Sequence, residues 1–83
     1  MKHAGPETLD RLAPLLAAVR QRAELTERRP GVFYRKSRAF LHFHEDPEGL
    51  FADVRPDDEW LRVKVTTAAD WTGFKAILAR AFD

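Results

Sequence analysis

Between Val32 and Val65 the sequence contains four short runs of strand-forming residues, separated by three tight turns. The runs are 32–35, 39–44, 50–55 and 60–65, and the turns are 36–38, 46–49 and 56–58. Runs rich in β-branched and aromatic residues, bounded by Gly, Pro and Asp, are typical of strands joined by hairpins. The pattern therefore predicts a four-stranded antiparallel meander.

Helical periodicity flanks this predicted sheet on both sides. From Thr8 to about Gln21, leucine and valine recur at spacings of three and four, and Pro14 predicts a kink or a restart of the helix. After the last strand, Thr67 and Asp70 have the spacing of a capping box, which predicts the start of a C-terminal helix. We therefore expect one α+β domain over 1–83, two-layered, of order α-β-β-β-β-α, with the helices packed on one face of the sheet.

Several functional classes lack their sequence signals. The 83 residues include no cysteine, which excludes disulfides, thiolate metal sites and cysteine nucleophiles. Ser37 is the single serine and lies in a turn between cations, and the four glycines are too scattered to form a phosphate-binding loop. No apolar run approaches the roughly 20 residues that span a bilayer. We expect a cytoplasmic protein that is not an enzyme, has no cofactor and does not contact a membrane.

Charge is distributed unevenly along the chain. Residues 1–38 carry nine Lys/Arg against four Asp/Glu, whereas residues 39–83 carry five against nine. A basic run lies at 28–38 and an acidic run at 45–59. The two runs either form a dipolar binding surface or partly neutralise each other in the fold.

The third and fourth strands indicate a register. Pairing Val54 with Leu61 gives an aliphatic inner face and places Asp53 opposite Arg62 on the outer face. In the second strand we expect Leu41 and Phe43 to face inward, so that the residues alternating with them, Phe40, His42 and His44, face outward. A glycine bulge at Gly49 favours the opposite facing, because a slip of one residue reverses every side chain.

On this register the outer face combines aromatic and basic side chains, including Phe33. An open antiparallel sheet of this composition suits stacking of unpaired bases while cations meet phosphates. The sequence predicts a binding module that contacts single-stranded nucleic acid; the alternative is a homodimer or a protein-interaction module that uses the same aromatic residues. The predicted contact residues are Arg35, Phe40, Phe51, Arg55, Trp60, Arg62 and Lys64.

A third interpretation is a metal-binding domain. His42 and His44 are two residues apart on one strand and point the same way, as in sites for zinc or nickel. Asp53 on the neighbouring strand is the natural third ligand, since the register pairs it with His42. The alternative is that both histidines are half-exposed strand residues, with His42 hydrogen-bonded to Asp53.

Three segments carry a resemblance to a known family. They are Gly31-Val32-Phe33-Tyr34-Arg35-Lys36, Leu50-Phe51-Ala52-Asp53-Val54 and Glu59-Trp60-Leu61-Arg62-Val63. Together with the order of helices and strands, they resemble the MmcQ/YjbR-like, or double-wing, family of small bacterial proteins. The chain is shorter than that family and lacks much of the segment before the Trp. The resemblance implies a DNA-binding-like fold without an established activity, and it assigns no site residue.

Overall fold

The computed structural model describes residues 1–82, in which three helices and six strands form the α+β arrangement predicted from the sequence. In chain order the elements are β1 (Lys2–His3), α1 (Pro6–Arg11), α2 (Ala13–Arg20), β2 (Leu25–Arg29), β3 (Val32–Arg35), β4 (Arg38–Asp46), β5 (Gly49–Val54), β6 (Leu61–Lys64) and α3 (Ala68–Phe82).

The strands form one antiparallel sheet of order β2-β3-β4-β5-β6. The short strand β1 also pairs with β4, beyond the end of β3 and on the same side of β4. The four predicted strands are β3 to β6, and they are neighbours in chain order. The predicted antiparallel sheet is therefore confirmed, but it has six strands within residues 1–82 rather than four. The register of the last hairpin is also confirmed, with Val54 opposite Leu61 and Asp53 opposite Arg62.

The helix boundaries follow the signals in the sequence. Helix α1 ends at Arg11 and Pro14 lies in the first turn of α2, so the predicted restart is confirmed. Thr67 N–H donates to Asp70 Oδ2 at 3.0 Å and Asp70 N–H donates to Thr67 Oγ1 at 3.3 Å, which confirms the capping box before α3. No helix within residues 1–82 combines the length and the hydropathy required to cross a membrane.

Strand β2 was not predicted because its residues are mostly polar. It is a sheet edge, where charged side chains reach water. The Arg20 guanidinium donates to both carboxylate oxygens of Glu27, at 2.7 and 2.9 Å, and the Gly31 N–H donates to the same carboxylate at 3.1 Å. Gly31, with φ of +77°, makes the turn that returns the chain into β3.

The core lies between the helices and the inner face of the sheet. Strand β5 shows the alternation most clearly, since Leu50, Ala52 and Val54 are buried while Phe51 and Asp53 are half-buried on the outer face. The prediction that Leu41 and Phe43 face inward is confirmed. The buried cluster comprises Leu12, Leu15, Leu16, Val19, Phe33, Phe40, Leu41, Phe43, Leu50, Ala52, Val54, Val65, Phe74 and Leu78.

The outward facing predicted for Phe33 and Phe40 is wrong. Phe33 pairs with Leu41, but the next residue pairs with Ala39, so Phe40 is an extra residue in β4. Such a bulge lets two consecutive side chains lie on the same face. Phe40 is 3% exposed and its ring lies 5.5 Å from that of Phe82 in α3. Both phenylalanines therefore belong to the core.

Leu61 was expected in the core and is 41% exposed. It lies on the inner face, opposite the buried Val54, but on strand β6. Because β6 is the edge of the sheet, no further strand covers that side of Leu61. The register of Leu61 was predicted correctly, but its burial was not.

Candidate nucleic-acid interface

The outer face of the sheet is organised in rows that cross the strands. One row contains Val32, His42, Asp53 and Arg62, which are successive partners in β3 to β6. The next row, toward the N-terminal strand, contains His3, His44, Phe51 and Lys64. Since paired residues share a face, both rows present their side chains on the side of the sheet away from the core.

A third row lies at the opposite end, near the β3–β4 turn. Tyr34 pairs with Ala39, and the Arg55 guanidinium donates to the Ala39 carbonyl oxygen. The same guanidinium lies over the Trp60 ring, 4.9 Å from its centroid. Backbone bonding and ring contact together orient Arg55 beside the tryptophan.

Trp60 is the most exposed aromatic side chain of this face. It is 43% exposed, and the His42 ring approaches it at 5.4 Å with an interplanar angle of 52°. Trp71, the other tryptophan, is half-buried and donates its indole N–H to the Val65 carbonyl oxygen at 2.8 Å. The two indoles therefore differ in role: Trp71 attaches α3 to the sheet, while Trp60 presents ring surface to solvent.

A second pair of arginine and aromatic ring lies on β2 and β3. The Arg28 guanidinium is 4.2 Å from the centroid of the Tyr34 ring. Tyr34 faces outward because it follows Phe33, which faces the core. This pair was not predicted from the sequence, because the polar residues around Arg28 indicate no strand and Phe33, rather than Tyr34, was expected on the outer face.

Asp53 neutralises part of the positive charge at the centre of the face. Arg62 donates to it twice, from Nε to Oδ1 at 2.9 Å and from Nη2 to Oδ2 at 3.1 Å. His44 Nε2 lies 3.3 Å from Oδ2 of the same carboxylate. The Arg62 hydrogen bonds lower the pKa of Asp53 below its usual value, so it remains an anion at neutral pH. Arg62 is thus already paired, whereas Lys64 makes no ion pair within residues 1–82.

All three histidines of the chain meet on this face. The ring of His3 lies 5.0 Å from that of His44 and 5.7 Å from that of His42. Burial is the main cause that lowers the pKa of His42 and of His44, and their positive neighbours add to it. Both imidazoles are therefore mainly neutral at neutral pH. No sequence signal pointed to His3, because β1 is only two residues long.

The structure places His42, His44 and Asp53 together on the outer face, as the metal-binding interpretation required. Even so, no group of three or more His, Asp or Glu side chains in the described part of the chain is arranged to hold a metal ion. The His44 and Asp53 side chains contact each other directly, and Asp53 also accepts from Arg62. The Asp53 carboxylate is thus already engaged by His44 and Arg62, and metal binding at these residues stays a prediction.

The predicted contact residues divide into two groups. Phe51, Arg55, Trp60, Arg62 and Lys64 lie on the outer face or at its rim. Phe40 and Arg35 do not, because the bulge turns Phe40 into the core and Arg35 alternates with Tyr34 toward the helices. Arg35 Nη1 donates to the Ala81 carbonyl oxygen at 3.0 Å, and the guanidinium lies over the Phe82 ring at 4.6 Å.

Comparison of the chain with protein-family models, curated proteins and solved structures finds no significant match. The resemblance to the double-wing family therefore stays a prediction.

Proposed function

We propose that this protein is a non-enzymatic binding module that contacts single-stranded nucleic acid through the outer face of its sheet. The observation that carries the proposal is Trp60, a large ring that is 43% exposed and flanked by an oriented guanidinium. Stacking of one base on an exposed aromatic ring contributes about 1–3 kcal/mol and tolerates any sequence. The flat indole of Trp60 and the flat guanidinium of Arg55 are both groups on which an unpaired base can stack.

The cations of the face supply the contacts to phosphate. Lys64 makes no ion pair within the described chain, and Arg55 is held by a backbone carbonyl and a ring rather than by a carboxylate. Arg62 contributes less, because Asp53 already accepts two of its hydrogen bonds. With about two phosphates neutralised, the logarithm of the affinity should fall against the logarithm of salt concentration with a slope of about −1.4.

The first test is an NMR titration of the isotopically labelled protein, at low salt, with oligothymidylate about ten nucleotides long. We expect shifts at the Trp60 indole N–H and in the amides of Phe51, Arg55 and Lys64, while the Trp71 indole stays unchanged. An unchanged spectrum at saturating oligonucleotide would refute the proposal.

Leu61 provides a matched control for the tryptophan. It is the next residue in the chain and has a similar exposure of 41%, but it lies on the inner face. Trp60→Ala should weaken binding by about 1–3 kcal/mol, which is the contribution of one stacked base. Leu61→Ala should leave affinity unchanged. Equal losses in the two variants would show that the contact is not through the outer face.

The exposed side chains at the β6 edge favour a second candidate, a homodimer. Leu61 begins the edge strand β6 and Trp60 directly precedes it, and the two side chains lie on opposite faces of the sheet. The backbone groups of an edge strand can pair with another copy of the chain. This candidate predicts a molecular mass that rises with protein concentration and is insensitive to salt, measured by analytical ultracentrifugation. In that case Leu61→Ala and Trp60→Ala should both weaken the dimer.

A further inference from the structure

A small basic pocket lies at the end of the sheet, between the β3–β4 turn and the segment that follows β5. Four cationic side chains, Arg35, Lys36, Arg38 and Arg55, line it together with a single carboxylate, Asp57. Its volume of about 170 Å³ is below the roughly 300–1,000 Å³ of sites for drug-sized ligands. Both its size and its charge fit a small anionic group.

Two of these cations are positioned by contacts that do not neutralise them. Arg35 is held by the Ala81 carbonyl oxygen and the Phe82 ring, and Arg55 by the Ala39 carbonyl oxygen and the Trp60 ring. Neither guanidinium pairs with a carboxylate within residues 1–82. Two oriented forks of N–H donors are the arrangement that recognises phosphate oxygens.

The third guanidinium is paired only weakly. Arg38 Nη1 lies 3.7 Å from Asp58 Oδ1, and the two side chains are 62% and 91% exposed. Ion pairs in full contact with water contribute little to stability, so an incoming anion can replace Asp58 as the partner of Arg38.

The turn that carries Lys36 adopts an unusual backbone. Arg35 pairs with Arg38, and the two residues between them, Lys36 and Ser37, have φ values of +50° and +68°. Two-residue hairpin loops of this kind prefer the sequence Asn-Gly, because most other residues are strained when their backbone adopts the left-handed region. Such strain at non-glycine residues collects at functional sites. Here it accompanies a cation on the wall of the pocket.

We propose that this pocket binds a phosphomonoester group. This proposal rests on the proposed function. The phosphomonoester is the terminal phosphate of the strand whose base stacks on Trp60, because Arg55 contacts that ring and also lines the pocket. A terminal phosphate carries a charge of about −1.5 to −2 at neutral pH and offers three oxygens. It therefore gains more from a cluster of cations than the singly charged phosphates within a strand.

The test compares oligothymidylate with a 5′-phosphate, with a 3′-phosphate and with neither, by fluorescence anisotropy at fixed salt. We expect one terminal phosphate to tighten binding about tenfold, as a charge-assisted hydrogen bond does. Lys36→Gln combined with Arg38→Gln should reduce this preference, because it removes two of the four cations that line the pocket. Lys64→Gln, which removes a cation outside the pocket, should weaken all three oligonucleotides by the same factor.

Inorganic phosphate, titrated alone and followed by NMR, distinguishes the sources of the phosphate group. Shifts at residues 35–38 and 55–57 that need more phosphate to appear in the double variant support the pocket, and equal titrations of the two proteins would contradict it. If phosphate shifts these amides while no oligonucleotide shifts the Trp60 indole, the pocket stands as a site for a free phosphomonoester and the nucleic-acid function fails. If oligonucleotides shift Trp60 but terminal phosphates add nothing and inorganic phosphate causes no shift, the pocket proposal is overturned while the nucleic-acid function stands.

Discussion

The two faces of the sheet use aromatic residues in opposite ways. On the inner face Phe33 and Phe43 are fully buried, and the Phe43 ring contacts Phe33 edge-on and Phe74 of α3 at a tilt. On the outer face Trp60 and Tyr34 each carry an arginine guanidinium over the ring. Burial restricts the size and shape of the side chains in the first set, because a void in the core lowers the free energy of unfolding. The second set contributes little to packing, so its residue types are free to serve binding.

The largest effect that separates the two faces should come from removing one ring from each. Phe40→Ala should lower the free energy of unfolding by about 3–5 kcal/mol, because it leaves a cavity in the core. Trp60→Ala should lower it by less than about 1 kcal/mol, as expected for an exposed position. Urea denaturation of both variants measures the difference.

The bulge at Phe40 is tested by the same experiment. If Phe40 faced outward, its removal would cost no more than that of Trp60. Phe40→Leu keeps most of the buried volume and should give an intermediate loss, so the comparison remains measurable even if Phe40→Ala does not fold.

A smaller effect should come from the β3–β4 turn, which determines the residues that each face receives from these two strands. Ser37→Gly should raise the free energy of unfolding by about 1 kcal/mol, because glycine adopts positive φ without strain. Ser37→Val should lower it by at least about 1 kcal/mol, since a β-branched residue is disfavoured there. Thermal unfolding of the two variants gives opposite signs if the loop has the observed geometry. Shifts of the same sign would contradict it.

As the pH falls, protonation of the two histidines on the outer face should begin to lower the stability of the protein. The pKa values of His42 and His44 are lowered, so the unfolded chain takes up protons more readily than the folded protein. The contribution of the two histidines to the free energy of unfolding is therefore fully present above pH 6.5, the ordinary pKa of histidine, and it is lost as the pH falls below that value. The effect is modest, because both imidazoles keep contact with solvent. Melting temperature measured from pH 8 to pH 5 on the protein and on His42→Gln/His44→Gln tests this; the variant should give a flatter curve.

A second loss of stability at lower pH distinguishes this effect from general acid unfolding. Glu45 accepts hydrogen bonds from the Thr8 hydroxyl and the Gly5 N–H, which lower its pKa to about 2. Its contribution is present above 4.5 and is lost as the pH falls from there toward 2. Glu45→Gln should remove this lower step and leave the step of the histidines in place. If the upper step also disappeared in Glu45→Gln, its assignment to His42 and His44 would be wrong.

The smallest effect concerns the ion pair at the centre of the outer face. A double-mutant cycle with Asp53→Asn and Arg62→Gln should give a coupling of about 0.2–1 kcal/mol, typical of a cross-strand charge pair. It should decrease with added salt. A coupling of several kcal/mol would mean that the outer face is as tightly specified as the core.

The residues whose positions were predicted correctly from the sequence share a local physical cause. Pro14 starts a helix because its ring fixes φ, Thr67 and Asp70 cap the next one through neighbouring backbone groups, and the pairing of Asp53 with Arg62 follows from the short connection before β6. Part of the candidate interface was predictable for the same reason. Arg62 and Lys64 belong to β6, whose register was evident from its alternation, and Trp60 directly precedes that strand.

The residues that were misplaced depend on contacts between distant parts of the chain. Phe40 faces inward because a bulge places it against Phe82, and His3 joins the other histidines because β1 pairs with a strand about forty residues away. Strand β2 forms because β3 offers it an edge, despite its polar composition.

The sequence by itself determined the α+β class, the hairpin of β5 and β6 and the starts of α2 and α3, because propensity, alternation and capping act within a few residues. Only the tertiary structure decided the full width of the sheet, the facing of Phe33, Phe40 and Arg35, and the meeting of four cations around one pocket. Those features result from the burial of apolar surface and the pairing of strand edges, which depend on the whole fold and which no local pattern specifies.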